Sequence, residues 1–176
     1  MSTTYVGFST PNWFNPVSWL VRKISGSKVS HTWFAYQDDD LDIAMVMEAH
    51  EIGFRIIPLQ HFLKYNTVVA MFAPRRPLDE GLKTIAKKFL ASRYDFGGLI
   101  GMAWVKLGLM LNRRWMNPFR NPKHVFCSEA LALAMAASPA YWDFQEDAET
   151  VDPEDLMRFF TQDGSPLVSP YELIPE

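Results

Sequence analysis

The hydrophobic period of this chain changes at Pro74-Arg75-Arg76-Pro77, and that change limits the fold more than any other feature. Before it, apolar side chains tend to alternate with polar ones, the period of strands. Strands are predicted at Tyr5 to Ser9, Val29 to Tyr36, Ile43 to His50, Gly53 to Pro58 and Thr67 to Ala73. The last is apolar on both faces and is expected at the centre of the sheet. One helix interrupts this half, opened by Asn15-Pro16 and ended near Gly26, with Trp19, Leu20 and Ile24 as its apolar stripe. Leu59 to Lys64 suits a single helical turn.

After Pro77 the period is that of helices. Leu82, Ile85, Ala86, Phe89 and Leu90 form one amphipathic stripe behind an Asp79 cap. Asp95 is expected to cap Phe96 to Leu111, which is apolar on most sides and contains Gly97, Gly98, Gly101 and Gly108. Such a helix is buried or lines an apolar groove, and its glycines let another backbone approach closely. Asn112 to Lys123 reads as a loop, and Cys127 to Ala137 as the next helix. Asp152-Pro153-Glu154-Asp155 starts a last one, docked by Met157 and Phe160. Strands first and helices after predict an α+β fold, an antiparallel sheet packed against a helical layer.

A chain of 176 residues is expected to form a single domain over 1–176. Its net charge of -3, with no basic block, offers no footprint for nucleic acid. One cysteine excludes an intrachain disulfide framework and suits a reducing compartment. Met1 to Gly7 lacks the pattern of a signal peptide. Phe96 to Leu111 is 16 residues long and contains Lys106, whereas a membrane span needs about 20. A soluble, cytoplasmic protein without stable membrane insertion is expected. No cofactor is implied, and the oligomeric state is not indicated.

The single cysteine, Cys127, lies in Phe126-Cys127-Ser128-Glu129 ahead of an apolar run. A lone cysteine on a buried helix is ordinarily a small hydrophobe. Pro122 and the polar residues before Phe126 instead put Cys127 at a helix start, where unpaired N–H groups and the dipole lower a thiol pKa. The amides of Cys127 or Ser128 can also hold an oxyanion. A nucleophilic thiol needs a base, and there are four histidines. His61 falls in a connecting turn and reads as structural. His124 is near Cys127 in sequence but falls in a loop, so His31 is the favoured base. Glu48 and His50 share one strand face. If their strand returns through the acidic turn Gln37 to Asp42, a carboxylate at Glu48 reaches the level of His31 and can orient its ring. A solvated glutamate is the competing reading. Zinc held by His31, Glu48, His50 and Cys127 is disfavoured, because no pair has the tight spacing of a zinc motif.

Taken in order, Gly26-Ser27-Lys28-Val29-Ser30-His31, Met47-Glu48-Ala49, Tyr94-Asp95-Phe96-Gly97-Gly98 and Phe126-Cys127-Ser128-Glu129 resemble the YiiX-like proteins. These belong to the circularly permuted papain-like group of the NlpC superfamily, related to the lecithin:retinol acyltransferase family. The resemblance spans about Tyr5 to Phe160. It implies a cysteine peptidase, amidase or acyl-transfer fold with Cys127 as nucleophile, His31 as base and Glu48, or nearby His50, as the third polar residue. Trp33 departs from the small residue frequent there and is expected to narrow the cleft. The expected substrate is peptide-like, an amide or a lipid acyl group. The alternatives are a lipid acyltransferase or phospholipase on the same fold, and a non-catalytic binding module.

Overall fold

Local signals set the first elements. Asn15 adopts an extended backbone and accepts the Ser18 N–H (3.0 Å), which caps helix α1 (Pro16–Ser25). Gly26 ends it in the left-handed conformation at φ 67°. The computed structural model describes residues 3–113, 115–119, 123–148 and 150–174, and within them every side chain but those of Ile24 and Leu109. Two sequence expectations, the place of Ile24 in the α1 stripe and Pro122 as a helix boundary, therefore lie outside the described residues. On α1 the core is met by Val17 and Val21, while Trp19 is exposed. The expected stripe was rotated from the true one.

Strands β1 (Tyr5–Pro11), β2 (His31–Asp38), β3 (Ile43–His50), β4 (Gly53–Pro58) and β5 (Asn66–Phe72) form one antiparallel sheet. Their order is β4-β3-β2-β1-β5. The predicted bounds of β3 and β4 match. β5, expected at the centre, is an edge strand. Only Met71 and Phe72 are buried there, and Val69 is exposed. The apolar end of β5 is shielded by the segment at 166–168: Ala73 N–H donates to Pro166 O and Val168 N–H to Met71 O, both at 2.9 Å. A covered edge tolerates an apolar strand as a central position does.

The two faces of the sheet build two cores. On one, Val6, Phe8, Phe34 and Met47 pack against the helical layer, with Leu82, Phe89, Leu131 and Phe160 among their neighbours. That layer comprises α3 (Asp79–Phe89), α4 (Phe96–Met110), α5 (Cys127–Ala136) and α6 (Pro153–Gln162). On the other, Trp33, Ala35, Val46 and Met71 pack against Leu59 and Phe62 of α2 (Leu59–Tyr65). The chain is α+β, as its period predicts.

The caps are local and mostly as expected. Gly98 N–H donates to Asp95 Oδ1 (2.7 Å) at the start of α4, and Asp155 N–H donates to Asp152 Oδ1 (2.9 Å) at the start of α6. Phe160 is buried and Met157 partly so, which docks α6. Asp79 is the first residue of α3 rather than its cap, and it accepts a hydrogen bond from the Thr4 hydroxyl. Leu90 falls beyond the end of that helix and is exposed. Among the described residues no helix is long and apolar enough to cross a membrane.

The β3–β4 turn decides where the functional strands lie. Gly53 has φ 133°, and a Cβ there would meet Ser92 O at 2.4 Å. The close approach lets Phe54 N–H donate to Ser92 O (3.0 Å) and Ala91 N–H to Phe54 O (3.0 Å), which covers the outer edge of β4. Gly53→Ala is expected to lower stability by about 1–3 kcal/mol, since backbone cannot move aside as a side chain can. A fall in the urea midpoint with an unchanged m-value checks this; an unaltered midpoint contradicts it.

Candidate functional site

The β2–β3 ladder runs from Asp38↔Ile43 to Phe34↔Met47. Phe34 and Met47 face the helical layer, so alternation turns His31 and Glu48 to the opposite face. Glu48 is the register partner of Arg55 on β4, which puts Arg55 on that face too. Three neighbouring strands thus each supply one polar side chain. His31 Nε2 lies 2.6 Å from Glu48 Oε2. Arg55 donates to Glu48 Oε1 from Nε (2.9 Å) and Nη2 (2.7 Å). Both carboxylate oxygens are engaged although the side chain is only 1% exposed. Burial acts to raise the Glu48 pKa, but His31 and Arg55 overcome it and hold it at about 2.

Cys127 arrives from the other layer, as the first residue of α5. Its sulfur is 3.9 Å from the carbonyl of Ser30, the residue before His31. Burial opposes charge on His31, yet Cys127 and Glu48 together push its pKa up to about 10. Burial likewise raises the Cys127 thiol, but the His31 hydrogen bond and charge, with the Thr32 and Ser128 amides, bring it below its ordinary value. His31 and Cys127 thus each favour the ionised form of the other.

Helix α5 starts without a side chain capping its first amides. Glu129 Oε2 instead accepts the N–H of Phe126, one residue before the helix (3.3 Å). The first-turn N–H groups at Cys127 and Ser128 therefore point toward the sulfur end of the helix. Tyr94 completes the surroundings. A parallel bridge pairs Tyr94 with Val125, two residues before Cys127. Burial pushes the Tyr94 phenol well up, and contact with Cys127 adds to the shift.

A cleft of about 650 Å³ opens on the α2 side, and Ser30, His31, Glu48, Arg55 and Tyr94 are among its walls. Cys127 is 4% exposed and sits behind Ser30, His31 and Tyr94 rather than in the wall itself. His50 also lines the cleft; its Nδ1 accepts the Ile52 N–H (3.4 Å), and burial lowers its pKa. The carboxylate on His31 is thus that of Glu48. His61 lies on α2, with its ring 5.3 Å from Tyr65 along the cleft. His124 is half-buried in the segment before α5, away from the cleft walls. Trp33, expected to narrow the cleft, is 1% exposed and packs on Phe62 (4.7 Å) across Gly7, so it takes no part in the walls.

Sequence reasoning brought forward His31, Glu48 and Cys127; the fold pairs His31 with Glu48 and puts the Cys127 sulfur against the carbonyl of Ser30, the residue before His31. It missed Arg55 and gave Tyr94 no role. Arg55 had a usable signal: a tight Glu51-Ile52 turn pairs Glu48 with Arg55, an opposite-charge cross-strand pair. Tyr94 had a signal in the Tyr94-Asp95 element of the resemblance, and the bridge to Val125 sets its position. Among the described residues no three His, Cys, Asp or Glu side chains are grouped to hold a metal ion. No family model matches the chain, and no curated protein matches it.

Glu48→Gln leaves Arg55 and His31 facing a neutral amide in a buried site, which is expected to cost about 3–5 kcal/mol at neutral pH. The depressed Glu48 pKa contributes stability above the free carboxyl range, lost as pH falls through about 2. The raised His31 pKa contributes below the free imidazole range, lost as pH rises through about 10. Urea denaturation of both proteins across pH is expected to show the gap widest near neutrality and closing toward both extremes. A gap constant with pH rules the pairing out.

Proposed function

We propose that this protein is a cysteine-dependent hydrolase, a peptidase or amidase acting through a thioester on a permuted papain-like fold of the NlpC superfamily. The observation that supports the reading is His31, held by Glu48 through Nε2 at 2.6 Å, with Cys127 near enough for the imidazole to lower its thiol pKa. The order of His, Glu and Cys in the chain, as in the YiiX-like proteins, adds to it. A free reactive thiol suits a reducing compartment such as the cytoplasm.

In this mechanism the Cys127 thiolate attacks a carbonyl carbon presented from the His31–Tyr94 end of the cleft. The carbonyl oxygen becomes an oxyanion, held by N–H groups at the start of α5. Protonated His31 gives its proton to the departing amine as the carbon–nitrogen bond breaks, leaving a thioester on Cys127. Neutral His31 then takes a proton from water, which attacks the thioester. The acid leaves, and the thiolate–imidazolium pair is restored. Glu48 keeps the ring in one tautomer and stabilises its cation, and Arg55 keeps Glu48 ionised.

A second reading, a lipid acyltransferase or phospholipase, gains support from the exposed apolar face of α4, which begins beside Tyr94. Release of fatty acid from phospholipid vesicles, set against release of amine from peptide amides, separates the two.

Because Cys127 is the single cysteine, alkylation by iodoacetamide reads it without ambiguity. The rate is expected to rise with pH at a midpoint below the ~8.5 of an ordinary thiol. His31→Asn is expected to move that midpoint upward, as burial then acts without a cation opposite. Cys127→Ser is expected to abolish both labelling and turnover. Turnover unchanged in that variant sinks the proposal, and an ordinary midpoint in the native protein favours a non-catalytic binding module.

A further inference from the structure

We propose that α4 is a membrane-docking helix, whose exposed apolar face and the basic segment following it seat the protein on an anionic lipid bilayer. Phe96, Ile100, Trp104 and Leu107 recur at intervals of four, four and three residues, so they lie along one side of the helix. Each is 45–54% exposed. Apolar area left in water forgoes roughly 25 cal/mol per Å² of stabilisation, and a continuous stripe of large side chains marks a surface with a partner.

The glycine side of the helix is already covered. A Cβ at Gly101 would strike the Asn117 side chain, and one at Gly108 would strike the Trp115 ring. The 115–119 segment therefore folds onto the glycine side. Trp115 stacks on Trp104 at 4.3 Å, and Met116 and Phe119 of that segment remain exposed beside the stripe. Lys106 turns away from this surface and pairs with Asp152 and Asp155 of α6.

Charge identifies the occupant. Residues 111–128, which follow the helix, carry four basic side chains and no acidic one, in a protein whose net charge is -3. Arg113 and Lys123, which follow the helix, are exposed. Indoles beside an apolar stripe with cations at its end are the chemistry of the interface of an anionic bilayer. A second copy fits less well, because a two-fold pairing through this face sets the two basic segments against each other. The 15 residues of α4 extend about 22 Å, too short to cross a bilayer, so the helix lies along its surface. The ring of Phe96 packs edge-on against Tyr94 (4.9 Å), a wall of the cleft, so docking through α4 brings the cleft to the lipid surface.

Co-sedimentation of the full chain with phosphatidylcholine vesicles, with and without phosphatidylglycerol, tests this. Binding is expected to the anionic vesicles, and to weaken as salt is added. The double variant I100S/L107S is expected to lose at least about tenfold in affinity, and R113Q roughly fivefold, with thermal melting unchanged in both. Absence of binding to anionic vesicles overturns the proposal, as does native-like binding by I100S/L107S. So does a dimer in solution that I100S/L107S converts to a monomer, because a second copy then covers the face. Alkylation of Cys127 in vesicle-free solution is expected to be unaffected by I100S/L107S, which keeps failure of docking distinct from failure of the hydrolase reading.

Discussion

The buried Glu48 carboxylate, gripped by His31 on one oxygen and Arg55 on the other, is the interaction on which the rest of the site depends. An ionised carboxylate withdrawn from water costs several kcal/mol unless its oxygens are paired. Here the partners come from β2 and β4, on either side of the strand that carries Glu48. The pairing therefore requires β4, β3 and β2 to lie side by side in this register. It also fixes the imidazole in one orientation and favours its cation. The stability of the sheet end and the electrostatics of the site are the same set of contacts.

Cys127 belongs to the opposite core, and it reaches His31 only because α5 begins where β2 begins. The Ser30 carbonyl touches the sulfur, and Ser30 N–H is already tied to Ser9 O (3.1 Å). The Tyr94–Val125 bridge fixes the approach to α5 from the other side. A thiol enclosed this way is desolvated, which alone would make it a poorer acid. The imidazolium beside it reverses that balance, so the chemistry proposed for Cys127 relies on Glu48 through His31.

The helical layer is less uniform than its composition suggests. α3 and α6 bury one face and leave a polar one outside. α4 buries its glycine side with Leu99, Met102 and Val105, and leaves Phe96, Ile100, Trp104 and Leu107 outside. Its polar anchor, Lys106, points to α6, so the outer stripe is left without charge along its length. Cations follow only after the helix ends.

The strands at Ile43–His50 and Gly53–Pro58 and the caps at Asn15, Asp95 and Asp152 could be read from the chain, because alternation and capping involve residues a few positions apart. The nomination of His31, Glu48 and Cys127 was also legible, from residue type and order. The edge position of β5, the retreat of Trp33 from the cleft, the rotated stripe of α1 and the outward face of α4 were not. Each depends on which distant segment covers a surface: 166–168 over β5, Phe62 over Trp33, 115–119 over α4. The sequence by itself determined which residues alternate, which cap and which are able to react. Only the tertiary structure decided which of them meet, because apolar patterning says that a face is buried and not what buries it.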